Sequence, residues 1–383
     1  MRVLMISDVY FPRVNGVSTS IRTFRGALRE QGVETTLVAP HYPQQTEPGD
    51  PVIRVDARYL PFDPEDRLMR YRQLRRTLRQ LDPESYDLIH IQTPFAAHYA
   101  GVAAGRRYRK PLVTTYHTLF AEYIHCYAPW LPGGVGRKLA QKLSRRQCNA
   151  VNMVIAPSNI MHNTLRDYGV SSRIEVVPTG LPLQHFRHGN GAAFRQQYGI
   201  AANRPVALYV GRVAHEKNLP LLLQMMQLLQ QRHPELLLLI AGEGPALPGL
   251  QRQAAKLGLQ QRVQFVGYLD RRHGLVDCYH AADVFVFPSV TETQGLVLLE
   301  ALACGKPVVA VPAMGAAEIV LAGKGAVPVE ANPAAFANAV SRLLAMPGIH
   351  GQMAQQARLW ADEWSDRATA ARLKRHYQSL LEA

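Results

Sequence analysis

A chain of 383 residues with 47% hydrophobic and 19% charged residues is a globular protein too long for one ordinary core, and two domains of similar size fit it. No stretch approaches the roughly 20 consecutive apolar residues of a membrane span, and Cys126, Cys148, Cys278 and Cys304 have neither disulfide-scaffold density nor zinc-ligand spacing. The net charge of +14 is uneven: 24 basic and 15 acidic residues lie up to Pro178 and 19 and 14 beyond it, so about +9 sits in the first half, which should face something anionic.

The chain opens on a short β-like run, Met1–Ser7, that lacks the long apolar core and cleavage site of a signal peptide, so a cytoplasmic protein is expected. Apolar runs then alternate with amphipathic helical patterns to the end, the signature of an α/β chain with parallel, doubly wound sheets. In the first half the strands read Arg2–Ser7, Thr35–Val38, Leu88–Ile91, Leu112–Tyr116, Met153–Ala156 and Glu175–Val177. In the second they read Val206–Val210, Leu236–Ala241, Val263–Val266, Val284–Phe287 and Val308–Val311.

After the first strand, Gly16 lies near the start of a helix beginning about Ser18, where a missing Cβ lets backbone N–H groups approach a phosphate; a plain turn glycine is the alternative. Residues 65–80 read as a basic helix carrying Arg72, Arg75 and Arg76, with Leu68, Tyr71, Leu74 and Leu78 on one face. Arg106–Lys110 adds a second basic cluster, and the strand at 112–116 delivers His117, which either orients a sugar hydroxyl or acceptor or is a satisfied structural histidine. Leu119–Pro132 is an aromatic loop, a lipid entrance if exposed and domain core if buried. Gly136–Arg146 repeats the basic helical character with Lys138, Lys142 and Arg145 beside Leu139 and Leu143. Such helices either lie on an anionic bilayer, at about 1 kcal/mol per well-placed cation, or pack their leucines on the sheet and solvate their cations. Pro178–Pro182 with the polar stretch Gln184–Gly191 is the expected linker.

In the second half, Val206–Val210 runs into Gly211–Asn218, placing Arg212 and Lys217 in one βα loop where two cations can neutralise a diphosphate leaving group. The run Val284–Pro288 precedes a loop acid, Glu292, and a helical acid, Glu300. Around Gly295 the amides of Gln294, Gly295, Leu296 and Val297 sit at a helix start, where an anion binds. Glu292 and Glu300 then accept hydroxyls on either side of it, a sugar and a ribose. Taken alone, the spacing also describes a solvated loop acid and a helix-face charge.

In order, Gly211-Arg212, Glu216-Lys217-Asn218, Gly267-Tyr-Leu, Asp283, Pro288-Ser289, Glu292 and Glu300-Ala-Leu-Ala-Cys-Gly-Lys-Pro-Val308 resemble the signature of retaining glycosyltransferases of family 4. Asn15-Gly-Val17, Thr115-Tyr-His-Thr118 and Ala156-Pro-Ser158 extend the resemblance over nearly the whole chain. It implies a GT-B fold, two Rossmann-like doubly wound domains facing a central cleft: an acceptor- and membrane-facing domain 1–180, a nucleotide-sugar domain 181–365, and a C-terminal helix, 366–383, crossing back.

Carried over by position, the resemblance implies that Arg212 and Lys217 hold the donor diphosphate, Glu300 the ribose, and Glu292 with the backbone after it the donor sugar. Gly16 approaches the phosphates and His117 lies beside the reacting sugar. It implies front-face departure and attack without an enzyme nucleophile, and no cofactor or essential metal. Thr293-Gln294-Gly295 departs from the commonest pattern, in which an aromatic residue precedes the glycine. With Tyr116-His-Thr-Leu-Phe-Ala-Glu-Tyr123, this variant is similar to the branch that glucosylates diacylglycerol and its lipid-mannosylating relatives.

The resulting expectation is a peripheral enzyme on the inner face of the cytoplasmic membrane, moving a hexose from a nucleotide sugar such as UDP-glucose to diacylglycerol as an α-glycolipid. A GDP-mannose-dependent enzyme, a soluble or polysaccharide acceptor and a sugar-nucleotide epimerase are alternatives. A nucleic-acid partner is not expected, because the basic clusters lack interleaved aromatics and a recognition helix.

Overall fold

The computed structural model describes residues 1–43, 51–60, 63–117, 133–271, 273–292 and 294–382. The aromatic loop read at 119–132 lies outside them, as does Thr293. The chain divides into two compact units, Met1–Gly180 with Asp366–Ala383, and Leu181–Ser365.

The first unit is built on a parallel sheet of seven strands: β1 (Arg2–Ile6), β2 (Glu34–Pro40), β3 (Val52–Val55), β6 (Leu88–Ile91), β7 (Leu112–Thr115), β8 (Met153–Ala156) and β9 (Arg173–Val176). Their order is β3-β2-β1-β6-β7-β8-β9. Chain order reverses at β1, so β1 and β6 flank a topological switch point, the place where loops diverge at the strands' C-terminal ends. The central strands are buried along their length because helices cover both faces, which is why they read as unbroken apolar runs rather than as alternation. The helix Gly16–Glu30 starts two residues before its sequence reading, capped by the Asn15 side chain, which accepts from the Ser18 amide at 2.8 Å. The last helix, Asp366–Leu381, packs on it, burying Ala370, Leu373 and Tyr377, and Lys374 Nζ donates to the Gln31 carbonyl at 2.7 Å.

Two sequence readings are corrected in this unit. Residues 65–80 are not one helix: β4 (Ala57–Leu60) and β5 (Asp63–Met69) form an antiparallel ribbon, and the helix spans Tyr71–Gln80. At the end of β5, Leu68 is exposed and Met69 buried, the period of two of a strand. Within the helix Leu74 and Leu78 are buried and Tyr71 is exposed, so the four residues do not form one stripe. The strand β3, with polar and charged neighbours, was not visible as a strand in the sequence.

The second unit has six parallel strands: β10 (Val206–Val210), β11 (Leu237–Ala241), β12 (Val263–Gly267), β13 (Val284–Phe287), β14 (Val308–Ala310) and β15 (Ala326–Pro328), ordered β12-β11-β10-β13-β14-β15. Its switch point lies between β10 and β13. The division between the units, after Gly180, falls within the expected linker, and the polar stretch that follows is partly ordered. It contains the helix Leu183–Arg187, whose Phe186 is buried edge-on to Tyr279 at 6.3 Å, so the one apolar residue of a polar stretch anchors it to the core.

Candidate functional site

In the second unit the loops leaving β10 and β13 carry the chemistry. After β10 a tight turn, His215–Lys217, closed by Asn218 in the left-handed conformation (φ 56), brings Lys217 back toward the β13 loop. There its Nζ donates to Glu292 Oε1 at 2.5 Å, and Ser289 Oγ donates to the same oxygen at 3.1 Å. Both side chains of the ion pair are largely withdrawn from solvent, 16% and 17% exposed, which strengthens it over a surface pair. Arg212, on the same loop, is exposed, and its carbonyl accepts from the Tyr209 hydroxyl at 3.1 Å. Burial, and then the charges of Glu292 and Glu216, push the Tyr209 phenol well up, so it stays a donor.

Gly295 precedes the helix Leu296–Ala303 with φ 83, and a Cβ there would stand 3.0 Å from Leu298 Cδ1; both the backbone conformation and the space favour glycine. The amides of Leu296 and Val297, in the first turn, have no carbonyl four residues back within the helix. Gln294 is buried beside them. One turn further, Glu300 is 1% exposed. Its Oε2 accepts from the Tyr279 hydroxyl at 2.9 Å, and its Oε1 from the Arg271 guanidinium. Burial opposes the charge on Arg271, but Glu300 more than offsets this and the arginine's pKa is raised.

The structure thus joins Lys217 to Glu292 and places Glu300 in a second, separate ion pair. Arg271 and Tyr279 were not singled out from the sequence, and Ser289 was named there only as part of Pro288-Ser289. Ser289 lies within the motif that carries Glu292, whereas no sequence spacing links Arg271 or Tyr279 to Glu300.

In the first unit, Gly16 is the exposed first residue of its helix, and a Cβ built on it meets nothing within 4 Å, so packing does not demand glycine there. His117 follows β7, with Nε2 3.0 Å from Gln92 Oε1. Burial pushes its pKa down to about 4, so the ring is neutral at pH 7. With Nε2–H donating to the amide oxygen, Nδ1 is left as an acceptor. Beneath it His90 bridges Tyr377 Oη (2.5 Å) and Thr115 Oγ1 (2.7 Å), its pKa lowered to about 3 by burial and then by His117. Asp8, at the end of β1, accepts from Thr93 Oγ1 at 2.8 Å and from the Ala97 amide at 3.0 Å, yet burial lifts its pKa to about 6.

The two basic helices differ. Arg72, Arg75 and Arg76 are exposed on a helix whose leucines are buried, the arrangement of an ordinary solvated face. On Gly133–Cys148, by contrast, Lys138, Lys142 and Arg145 are exposed together with Leu139 (54%) and Leu143 (44%). Gln147 of this helix bonds the Pro94 carbonyl (2.8 Å) and the Tyr99 hydroxyl (3.3 Å), which brings the exposed Phe95 and Tyr99 to its end. Among the described residues no helix is long and apolar enough to cross a membrane, and no group of three or more His, Cys, Asp or Glu is placed to hold a metal ion.

Comparison with known proteins finds relatives over most of the chain. The family model for Glycosyltransferase Family 4 matches residues 14–185, and that for Glycosyl transferases group 1 matches residues 191–360. The chain is 33% identical over 317 residues to an alpha-monoglucosyldiacylglycerol synthase of Streptococcus pneumoniae, covering 81% of this chain and 71% of that protein. It is 26% identical over 376 residues to a GDP-mannose-dependent alpha-(1-6)-phosphatidylinositol dimannoside mannosyltransferase of Mycobacterium tuberculosis, covering 97% and 95%. Among solved structures, Anabaena HepE in complex with UDP and glucose superposes with a TM-score of 0.79 at 20% identity, over 99% of this chain and 100% of that one, a likeness of fold.

Proposed function

The chain belongs to glycosyltransferase family 4 and has the GT-B fold, and we propose that it moves glucose from UDP-glucose to diacylglycerol with retention, giving an α-glycolipid at the inner face of the cytoplasmic membrane. The observation that carries the donor half is the Lys217–Glu292 pair beside the β10/β13 switch point. A cation for a diphosphate and a carboxylate for sugar hydroxyls in direct contact fit the junction where the sugar joins the phosphate. Arg212 adds a second cation on the same loop, the helix start at Gly295–Val297 adds amide donors, and Glu300 takes the ribose.

In the reaction the bond from the anomeric carbon to the diphosphate oxygen breaks and a bond to the acceptor oxygen forms on the same face. The acceptor's proton passes to the departing phosphate. Lys217 and Arg212 stabilise the charge that develops there, an effect largest in the transition state. Neutral His117 orients a hydroxyl through Nδ1, and Gly16 is assigned to the donor phosphates. No metal is assigned a role.

The acceptor half rests on the helix Gly133–Cys148, where exposed leucines flanked by exposed cations suit an anionic bilayer surface, and on the likeness to a diacylglycerol glucosyltransferase. A second reading, GDP-mannose as donor, is favoured by the end-to-end match to the mycobacterial mannosyltransferase. Incubation with diacylglycerol liposomes and a panel of UDP- and GDP-sugars, with products identified by mass spectrometry and NMR, tests both. One α-glucolipid supports the first reading, a mannolipid the second, and donor hydrolysis without glycolipid removes the lipid acceptor.

A further inference from the structure

We propose that Arg271 is a latch on the donor site, competing with the nucleotide's ribose hydroxyls for the Glu300 carboxylate and leaving it when they bind. The inference rests on the assignment of Glu300 to the ribose and adds a residue that controls access to it.

Each oxygen of Glu300 already has a partner, and the carboxylate is 1% exposed. Each oxygen keeps a second lone pair, but the carboxylate is buried, so the two neighbouring hydroxyls of a ribose reach it only where a partner that covers it moves aside. Tyr279 is not free to do so. It is fully buried, with its ring packed by Phe186 and Phe285 at centroid distances of 6.3 and 5.8 Å, and its hydroxyl also lies 3.3 Å from the Val297 carbonyl. Arg271 is 20% exposed and is therefore the partner between the carboxylate and solvent.

Arg271 is tied at its own carbonyl, and Asp270 before it is anchored. The Asp270 carboxylate accepts from the amides of His273 (2.9 Å) and Gly274 (3.0 Å), and the Arg271 carbonyl bonds His185 Nε2 at 2.6 Å. Release is thus a rotation of an unbranched side chain rather than the opening of a loop. The exchange is between one charge-assisted hydrogen bond and those of the ribose to the same anion. The latch keeps Glu300 compensated while it is closed, since a buried carboxylate stripped of its partner is costly, and it lowers nucleotide affinity by the free energy of opening.

Calorimetric titration with UDP, and with GDP in parallel, tests this on the wild type, Arg271→Ala and Arg271→Lys, the tighter nucleotide being repeated as its 2′,3′-dideoxy analogue. Arg271→Ala is expected to bind the ribonucleotide about tenfold more tightly, the scale of one charged hydrogen bond, with Arg271→Lys in between and no change for the dideoxy analogue. The lysine variant keeps a cation near Glu300 and carries the test if the alanine variant does not fold. Unchanged or weaker ribonucleotide binding by the folded variants overturns the latch, as does an equal gain with the dideoxy analogue. Glu300→Gln in the wild-type background separates the two levels. If it weakens ribonucleotide binding, the donor assignment stands whatever Arg271 does. If it has no effect, or if neither nucleotide binds the wild type, the donor assignment fails and the latch with it.

Discussion

Leu139 and Leu143 offer a quantitative test of whether the first unit sits on a lipid surface. Burying a leucine side chain completely is worth about 1.5–3 kcal/mol, and these two are 54% and 44% exposed, so transfer of their free surface into the acyl boundary contributes about 1 kcal/mol each. Replacing both by Gln therefore removes about 2 kcal/mol, roughly a 30-fold loss in vesicle partitioning. The flanking cations Lys138, Lys142, Arg145 and Arg146 contribute up to about 1 kcal/mol each near an anionic surface and are screened by salt. Sedimentation with phosphatidylglycerol-containing vesicles, at low and high salt, reads both parts. The leucine variant should lose affinity at either salt, whereas the wild type should weaken as salt rises. Because both leucines face solvent, the substitution should leave the melting temperature nearly unchanged. Partitioning of the double variant equal to that of the wild type would refute the reasoning and return this helix to an ordinary solvated face.

Lys217→Ala should lower turnover by about 10²–10³, the usual loss when one donor to a developing anion is removed; near-normal turnover in the folded variant removes the leaving-group role. Reversing Arg72, Arg75 and Arg76 to Glu should alter vesicle binding far less than the leucine substitutions do and leave nucleotide titrations unaltered, and a comparable loss of lipid binding would add that helix to the lipid-facing surface. For Asp8, the folded pKa of about 6 lies above the unfolded value of 3.8, so the native state holds the proton more tightly. Its contribution of about 3 kcal/mol is fully present below the unfolded value and disappears as pH rises through the folded one. The lowered His90 and His117 act in the opposite direction, so the quantity to measure is the difference in unfolding free energy between wild type and Asp8→Asn across this range. A flat difference means that Asp8 ionises as it does in water.

Much of the architecture was legible because parallel strands covered on both faces must be apolar along their length. Val206–Val210 and Val284–Phe287 are fully or nearly fully buried and stand out in the sequence for that reason. The loops after these strands were legible too, since Arg212 with Lys217 and Glu292 with Gln294 and Gly295 are near neighbours in the chain. That the lysine reaches Glu292 depends on β10 and β13 lying side by side, a pairing made by the crossover of the sheet.

Elsewhere local pattern was ambiguous and packing chose. Asp63–Met69 carries charges and apolar residues that suit a helix, and only its ribbon partner β4 makes it a strand. Leu74 with Leu78 and Leu139 with Leu143 are equally spaced pairs on arginine-rich helices, yet one is buried and the other faces solvent, because a helix's periodicity defines its apolar face but not whether a neighbour covers it. Arg271 and Glu300 stand on different elements 29 positions apart, and no propensity or spacing joins them. Local pattern was enough for the layered sheets and for the loops that bear the charges. Which charges meet and which apolar faces stay open is set by packing, because it depends on which distant elements lie side by side.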